Sequence, residues 1–426
     1  MRPIRLVSLL LVLSLILPFL FSCGSSSPEQ NPDARKTAPT ISPKAEEDSI
    51  LRRPDSVSDP SVYTTPDETD EEGGTGEIPV VTDSRVSFLA VGDNILHSAI
   101  IEDAARHARN GAEYDFNYIY NNVRSKIQSA DVAFVNQETP MGGKSLGYTG
   151  YPNFNGPQEA GDALVNAGFD IVCIATNHMA DYKAAGLKGT IDYWNTQPVT
   201  LIGGYVSQED YETVRVHEVN GIRIALLAFT YGINGMTIES SSGLVVPLMS
   251  KSEVRKQVEA AKLAGDVVIV NMHWGVDSSF AVTTEQQEYA QLLADLGVDV
   301  VIGEHPHVLQ PMEWMTGKNG NKTLITYSIG NFLSTMYNDY FMVGGMLTFD
   351  IVKSKGKCTI ENVLLIPTVT YYDWTRSNLS IYFLENFTQE LLSLHGCNEH
   401  GPSSLSKMRG YVTNVIPSEF LPDWLK

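Results

Sequence analysis

The chain has 426 residues, of which 43% are hydrophobic, and this composition excludes disorder throughout because it supplies enough apolar surface for a sizeable core. The formal net charge is −20 and no basic cluster lies beyond the extreme N-terminus, so nucleic acid is excluded as an expected partner. An acidic protein that acts on an anionic substrate needs a local source of positive charge, and a bound metal ion is one such source.

The first 23 residues have the pattern of an export signal. Arg2 and Arg5 precede an apolar run from Leu6 to Phe21, which is shorter than a membrane-spanning helix usually requires. Ser22 and Cys23 follow the run, and this ending resembles a bacterial lipobox, in which the cysteine is lipidated. The pattern predicts an exported protein that is lipid-anchored to the membrane at the bacterial cell surface; an uncleaved anchor and simple secretion are the alternatives.

Residues 24–85 differ in composition from everything that follows them. They are rich in Ser, Pro, Thr, Asp and Glu and have almost no apolar periodicity. Such a segment cannot bury enough surface to offset its ordering entropy, so it is predicted to be a disordered tether. We expect the main folded domain over residues 86–370 and a C-terminal extension over residues 371–426.

The centre of the chain alternates between helical patterns and apolar runs. Ser250 lies two residues before the segment "SEVRKQVEAAKLAG" and forms a capping signal with Glu253. The segment "TEQQEYAQLLADLG" has a similar signal at Thr284 and Gln287. An apolar run follows each segment at once. These β-α-β units predict parallel strands with helices packed on the sheet.

The second half of the chain has a different pattern. Several apolar runs follow one another without long helices between them, which predicts a second and more antiparallel sheet. A helix-like segment is expected near Ile381 to Leu394.

Polar side chains that can bind metals follow most of the apolar runs. A single such residue is usually a loop former, but the same ending at five strand ends indicates one shared site, because ligands bind at the carboxyl ends of strands in open α/β sheets. The residues are Asp93, His97, Asn136, Glu138, Asn177, His178, His273, His305, His307 and Asn331.

The donor types narrow the choice of metal. Imidazole nitrogens mixed with carboxylate and amide oxygens, without thiolates, suit Mn, Fe, Zn or a similar first-row ion. There are more candidate ligands than one tetrahedral ion can coordinate. Two divalent ions are therefore predicted, since such pairs act on both the attacking and the leaving oxygen of a hydrolytic reaction.

The stretch "GEHPH" places two histidines on either side of a proline. His305 and His307 would project to the same side of an extended strand end. Pro306 disfavours the helical region for the residue before it, so we expect the backbone here to be extended and both rings to face one centre.

Six motifs in this order resemble the CapA family of capsule (poly-γ-glutamate) synthesis proteins, a branch of the calcineurin-like metallophosphoesterases. They are "AVGDN…H", "VAFVNQETP", "ATNHMAD", "HWG", "GEHPHV" and "YSIGNFL". The resemblance covers about residues 86–333. It implies an α/β fold, namely a four-layer αββα sandwich of the calcineurin-like metallophosphoesterase type, with a two-metal site at the strand ends.

The resemblance also implies roles for individual residues. His178 would stabilise the transition state or protonate the leaving group, and Glu138 occupies the place where phosphoesterases usually have a bridging aspartate. The implied metal ligands are Asp93, Glu138, Asn177, His273, His305 and His307.

Four further residues are expected to contact the substrate or to support the ligands. His97 lies four residues after Asp93, whereas the general phosphoesterase pattern is Asp-x-His, so His97 is not expected to bind metal. Trp274 would either shape the pocket wall or belong to the core. The four are His97, Asn136, Trp274 and Asn331.

The first hypothesis for function is a surface-anchored, two-metal hydrolase that acts on an ester or γ-glutamyl bond of an anionic envelope polymer such as poly-γ-glutamate. A second is a non-catalytic, metal-binding component that assembles or anchors the polymer together with membrane proteins of capsule synthesis and export. A third is a lipid-anchored solute-binding protein. His178 favours catalysis, because the resemblance does not make it a primary ligand.

Overall fold

The structure is a computed structural model that describes residues 83–426. The predicted signal peptide, the predicted lipidation site Cys23 and nearly all of the predicted tether lie outside the described residues. Within residues 83–426, no helix combines the length and the apolarity that crossing a membrane requires.

The described part of the chain contains fourteen strands. In chain order they are β1 (Ser84–Asn94), β2 (Val132–Gln137), β3 (Ile171–Cys173), β4 (Thr200–Ile202), β5 (Arg215–Val219), β6 (Ile222–Thr230), β7 (Val267–His273), β8 (Val300–Glu304), β9 (Leu309–Thr316), β10 (Lys322–Ile329), β11 (Asn331–Leu333), β12 (Val343–Ser354), β13 (Lys357–Tyr371) and β14 (Ser380–Phe383).

These strands form two mixed sheets. The first has the order β14-β13-β12-β1-β2-β3-β4, with β11 also paired to β1, and the second has the order β5-β6-β7-β8-β10-β9. β1 to β4 are parallel, as are β6, β7, β8 and β10. The remaining strands pair antiparallel and extend the sheets, apart from β11, which runs parallel to β1.

The described residues also contain α-helices. They are α1 (Ser98–His107), α2 (Arg124–Gln128), α3 (Glu159–Ala167), α4 (Lys183–Trp194), α5 (Gln208–Glu212), α6 (Lys251–Ala264), α7 (Thr284–Leu296), α8 (Gln389–Leu394) and α9 (Leu405–Thr413).

The two helices with predicted capping signals are present. The Ser250 hydroxyl accepts the backbone N–H of Glu253 at the start of α6, as predicted. The capping box of α7 lies one residue earlier than expected, because Thr283 and Gln286 form it in place of Thr284 and Gln287.

The side chains of β6 alternate between two cores, and this shows how the sheets and helices are layered. Ile224 and Leu226 belong to the core between the two sheets, whereas Leu227 and Phe229 pack in a second core with residues of α6 and α7. Successive side chains of a strand point to opposite faces, so this sheet is covered by the first sheet on one side and by helices on the other. The predicted four-layer αββα sandwich is thereby confirmed.

The second half of the chain differs from the sequence prediction in two respects. Its strands do not form a sheet of their own: β12 pairs with β1 and extends the first sheet, while β9 and β10 join the second. The predicted helix near Ile381 is wrong over its first part, because Ile381 pairs with Thr370 as a strand residue. A short 3-10 helix at Leu384–Asn386 and the α-helix α8 follow it. Short apolar runs do not specify their partners, and strand and helix are hard to distinguish in them.

Candidate metal centre

The predicted site residues occupy corresponding places in the two sheets. Asp93 lies near the end of β1, Glu138 directly follows β2, and His273 is the last residue of β7. His305 directly follows β8. Parallel strands of one sheet bring their carboxyl ends to the same edge of that sheet. In this protein the two such edges meet, because Glu138 of the first sheet lies 3.9 Å from His273 of the second.

One group of donors consists of Asp93, Glu138 and His307. Each offers a ligand atom, and these atoms lie within 4.8 Å of one another. Nδ1 of His307 is 2.9 Å from Oδ2 of Asp93 and 3.1 Å from Oδ1 of Asn331. All four residues are buried.

A second group of donors consists of Asn177, His273 and His305. Nε2 of His273 lies 3.0 Å from Oδ1 of Asn177, and the ring centres of His273 and His305 are 4.9 Å apart. Oε1 of Glu138 is 3.9 Å from Nε2 of His273 and 3.8 Å from Nε2 of His307. Glu138 therefore lies between the two groups, within reach of both.

The hydrogen bonding of the donors tests whether a cation fits. Both carboxylate oxygens of Glu138 and the Nδ1 atoms of His273 and His305 are buried and have no hydrogen-bond partner among the described residues. Buried polar atoms are almost always paired, because leaving them unpaired costs free energy. Nitrogen and oxygen donors of this kind suit a divalent first-row cation, so the residues fit such an ion.

Burial sets the protonation of the imidazoles. It lowers the pKa of His273 well below its ordinary value and that of His305 to about 4, and neighbouring imidazoles act in the same direction. Both rings are therefore neutral at physiological pH, and the neutral ring is the form that binds metals.

Glu138 and His307 hold their protons more tightly than isolated side chains do. Burial raises the pKa of Glu138 well above its usual value. Burial alone would lower the pKa of His307, but the charges of Glu138 and Asp93 raise it to about 10.

The apparent affinity for Mn²⁺ is therefore expected to increase with pH. A ligand must lose its proton to bind a cation, and a raised pKa means that the deprotonated form is gained only as the pH rises. Each proton released should strengthen binding by about tenfold per pH unit. Calorimetric titrations between about pH 5.5 and 7.5 measure this slope; an affinity that does not change with pH would contradict the assignment of these two residues as ligands.

His178 lies beside the donors and is held by a carboxylate. Its Nδ1 is 2.8 Å from Oδ2 of Asp181, which also accepts the backbone N–H of Phe154 at 2.7 Å. The Phe154 ring packs edge-on against the imidazole, with 4.7 Å between ring centres. A carboxylate at Nδ1 favours the tautomer that carries its proton there and leaves Nε2 able to exchange a proton.

Three of the four expected supporting residues lie at the site. Nδ2 of Asn136 donates to Oδ1 of Asp93 at 2.7 Å, and Asn331 contacts His307 as described above. His97 lines the cleft beside the donors, and its Nδ1 accepts the backbone N–H of Thr335 at 3.3 Å.

Trp274 does not line the cleft. It is fully buried in the core between the second sheet and its helices, and its indole N–H donates to the carbonyl of Tyr327 at 2.9 Å. It follows His273 directly, so alternation sends the two side chains to opposite faces of the sheet. Of the two predicted roles for Trp274, the structure shows the one in the core.

The backbone around Pro306 is not extended, contrary to the sequence prediction. His305 and His307 have φ angles of 96° and 60°, in a region that residues other than glycine rarely adopt. The backbone N–H of His305 points to Oδ2 of Asp93, at 3.3 Å, so a contact with the other sheet accompanies the turn. The two rings are nevertheless neighbours, with 5.8 Å between their centres.

Two buried carboxylate residues beside the donors were not predicted as members of the site. One is Asp181, whose signal is its spacing of three residues after His178. The other is Glu304, whose two carboxylate oxygens are buried without a hydrogen-bond partner among the described residues. Burial raises the pKa of Glu304 well above its usual value, and the charge of Asp93 adds to this effect. Its only signal was its place inside the motif "GEHPH".

The donors open into a cleft of about 580 Å³. Glu138, His178 and the two histidines of the "GEHPH" motif line it, together with Phe154 and Tyr231. A cleft of this size can admit a substrate group to the donors.

The chain was compared with known proteins and structures. It is 28% identical over 263 residues to the capsule biosynthesis protein CapA of Bacillus anthracis, which covers 58% of this chain and 60% of that protein. It is 31% identical over 178 residues to the PGA biosynthesis protein CapA of Bacillus subtilis strain 168, which covers 41% of this chain and 45% of that protein. The matches thus span less than two thirds of these relatives.

Among solved structures, the calcineurin-like phosphoesterase YfkN of Bacillus subtilis aligns with 77% of this chain and 100% of its own, with a TM-score of 0.42 and 14% identity. A family model described as bacterial capsule synthesis protein PGA_cap matches residues 87–336, which is more than half of the chain. The family predicted from the motifs is thereby confirmed. The protein belongs to the bacterial capsule synthesis protein family PGA_cap.

Proposed function

We propose that the protein is a metal-dependent hydrolase of the cell envelope that cleaves an ester or γ-glutamyl bond in an anionic polymer such as poly-γ-glutamate. One observation carries this proposal: Glu138, whose oxygens have no hydrogen-bond partner among residues 83–426, lies between two groups of nitrogen and oxygen donors that line an open cleft. The choice of polymer follows the names of the relatives, which refer to capsule and PGA biosynthesis.

Different residues would bind the metal ions and transfer the proton. Asp93 and His307 would hold one of two divalent ions, and Asn177, His273 and His305 the other. Glu138 lies within reach of both groups, and Asn331 would support His307. When bound, such ions supply Lewis acidity and lower the pKa of a coordinated water. When its ring carries protons on both nitrogens, His178 would pass the Nε2 proton to the leaving group and keep the Nδ1 proton, through which Asp181 orients the ring.

We further propose that the protein is exported and lipid-anchored through Cys23 at the cell surface, where the membrane proteins of capsule synthesis and export would be its partners. The support comes from the N-terminal pattern of two arginines, a short apolar run and a lipobox-like ending.

Polymer cleavage by the purified protein tests the proposed activity. After treatment with a chelator, the protein should be inactive towards γ-linked glutamate oligomers and phosphoesters, and addition of Mn²⁺, Fe²⁺ or Zn²⁺ should restore cleavage of one class. A protein that binds metal but cleaves neither class would contradict the hydrolase and favour a non-catalytic role in polymer assembly or anchoring.

A further inference from the structure

A second cleft adjoins the one at the metal centre. It has a volume of about 460 Å³ and shares lining residues with the first cleft, namely His97, Tyr151, Asp277 and Met336. A polymer bound with one bond at the donors would therefore continue directly into the second cleft.

Arg376 gives the second cleft a positive charge. No other lysine or arginine of residues 83–426 lines either cleft. The guanidinium lies over the ring of Tyr337, 4.3 Å from its centre, and forms no ion pair with a carboxylate of the described residues. Stacking on an aromatic face orients the guanidinium and leaves its N–H edges able to donate.

Four guanidinium groups of residues 83–426 form ion pairs with carboxylates and are less available to a ligand. Arg85 contacts Asp350, and Arg223 contacts Asp266. In a chain with a net charge of −20, an unpaired guanidinium in a cleft beside the metal centre is available to a ligand.

We propose that the second cleft is an anion-binding subsite, in which Arg376 binds the charged group of the polymer unit next to the one at the metal centre. This inference rests on the proposed function and specifies its substrate as a polymer with an anionic group on successive units. A guanidinium binds a carboxylate or a phosphate through two parallel hydrogen bonds.

Other residues of the two clefts agree with this placement. Tyr151, which is 75% exposed and lines both clefts, offers an apolar face to the methylene groups that link the charged groups of such a polymer. Asp277 lies where the clefts join and would repel an anion there. The charged group is therefore expected at the Arg376 end of the second cleft.

Binding of two oligomers to the metal-loaded full chain tests the subsite. One probe is a γ-linked glutamate pentamer and the other is a glycerol phosphate oligomer of similar length. Arg376→Gln should weaken the binding of one of them by about tenfold, because it removes a charge-assisted pair of hydrogen bonds. The oligomer that loses affinity identifies the anion as carboxylate or phosphate, and Arg376→Lys should lose less.

Arg409→Gln is the matched control. Arg409 also lies over an aromatic ring, 5.8 Å from the centre of Trp424, but it is on α9 and lines neither cleft. Its replacement should leave both affinities at the wild-type value, and melting temperatures should show that both variants are folded.

The outcomes separate this inference from the proposed hydrolase. If the wild type binds neither oligomer, or if Arg376→Gln binds both as tightly as the wild type, the subsite is wrong, even where cleavage persists. If Arg376→Gln weakens binding while no variant cleaves either oligomer, the subsite is supported and the hydrolase is not.

Discussion

His178→Ala is expected to lower kcat on the polymer by a factor of about 10² to 10⁴, the range usual for loss of a general acid or base. The metal content should stay at the wild-type value, because Nδ1 of His178 is bonded to Asp181 and the ring is not among the donors around Glu138. Steady-state kinetics and elemental analysis of the same sample measure the two effects together.

His217→Ala serves as the control for this variant. His217 is a partly buried histidine on β5 that contacts Thr200 and lines neither cleft, so its replacement should change kcat little. A His178→Ala protein with full activity would remove His178 from the mechanism. A His178→Ala protein without metal would instead make His178 part of the metal site.

Glu138→Gln is expected to weaken the binding of Mn²⁺ by at least about 100-fold, since it replaces a shared anionic ligand with a neutral amide of the same size. Without metal, any change in melting temperature should reflect only the lost attraction between Glu138 and His307, because the Glu138 oxygens have no hydrogen-bond partner to lose among the described residues. The increase in melting temperature on adding Mn²⁺ should disappear, because a ligand stabilises a folded protein only in proportion to its binding.

Calorimetry and thermal unfolding, each with and without Mn²⁺, measure these effects. Glu259→Gln on the exposed surface of α6 is a control with the same chemical change and should behave as the wild type does. Wild-type affinity in Glu138→Gln would contradict the central place given to this carboxylate.

Local sequence patterns predicted the parts of the fold that depend on local structure. The caps of α6 and the approximate start of α7 follow from side chains that bond to their own helix. Polar residues at the ends of apolar runs predicted the edge where the donors meet, because parallel strands bring their carboxyl ends together whatever the details of packing.

The features that were missed depend on contacts between distant segments. The turn at His305 involves Asp93, which lies 212 positions earlier in the chain. The two carboxylate oxygens of Glu304 lack a hydrogen-bond partner among the described residues, and this can be recognised only after the two sheets are packed together. The place of Trp274 could have been inferred, since a period of two makes it unable to share the cleft with His273.

The sequence patterns also could not predict which strands pair with one another. The apolar runs that form β12 and β13 were correctly predicted to be strands. Their alternation of apolar residues, however, is compatible with pairing to any free sheet edge. In the structure β12 pairs with β1, so a late segment of the chain borders the strand that carries Asp93.

Elemental analysis of the purified protein, beside the Asp93→Ala/His307→Ala double variant, tests the central claim most directly. We predict about two equivalents of a first-row divalent metal in the wild type, and little metal in a double variant that remains folded by circular dichroism. A wild-type protein that takes up no metal after refolding with Mn, Fe and Zn would contradict the metal centre and the function proposed from it.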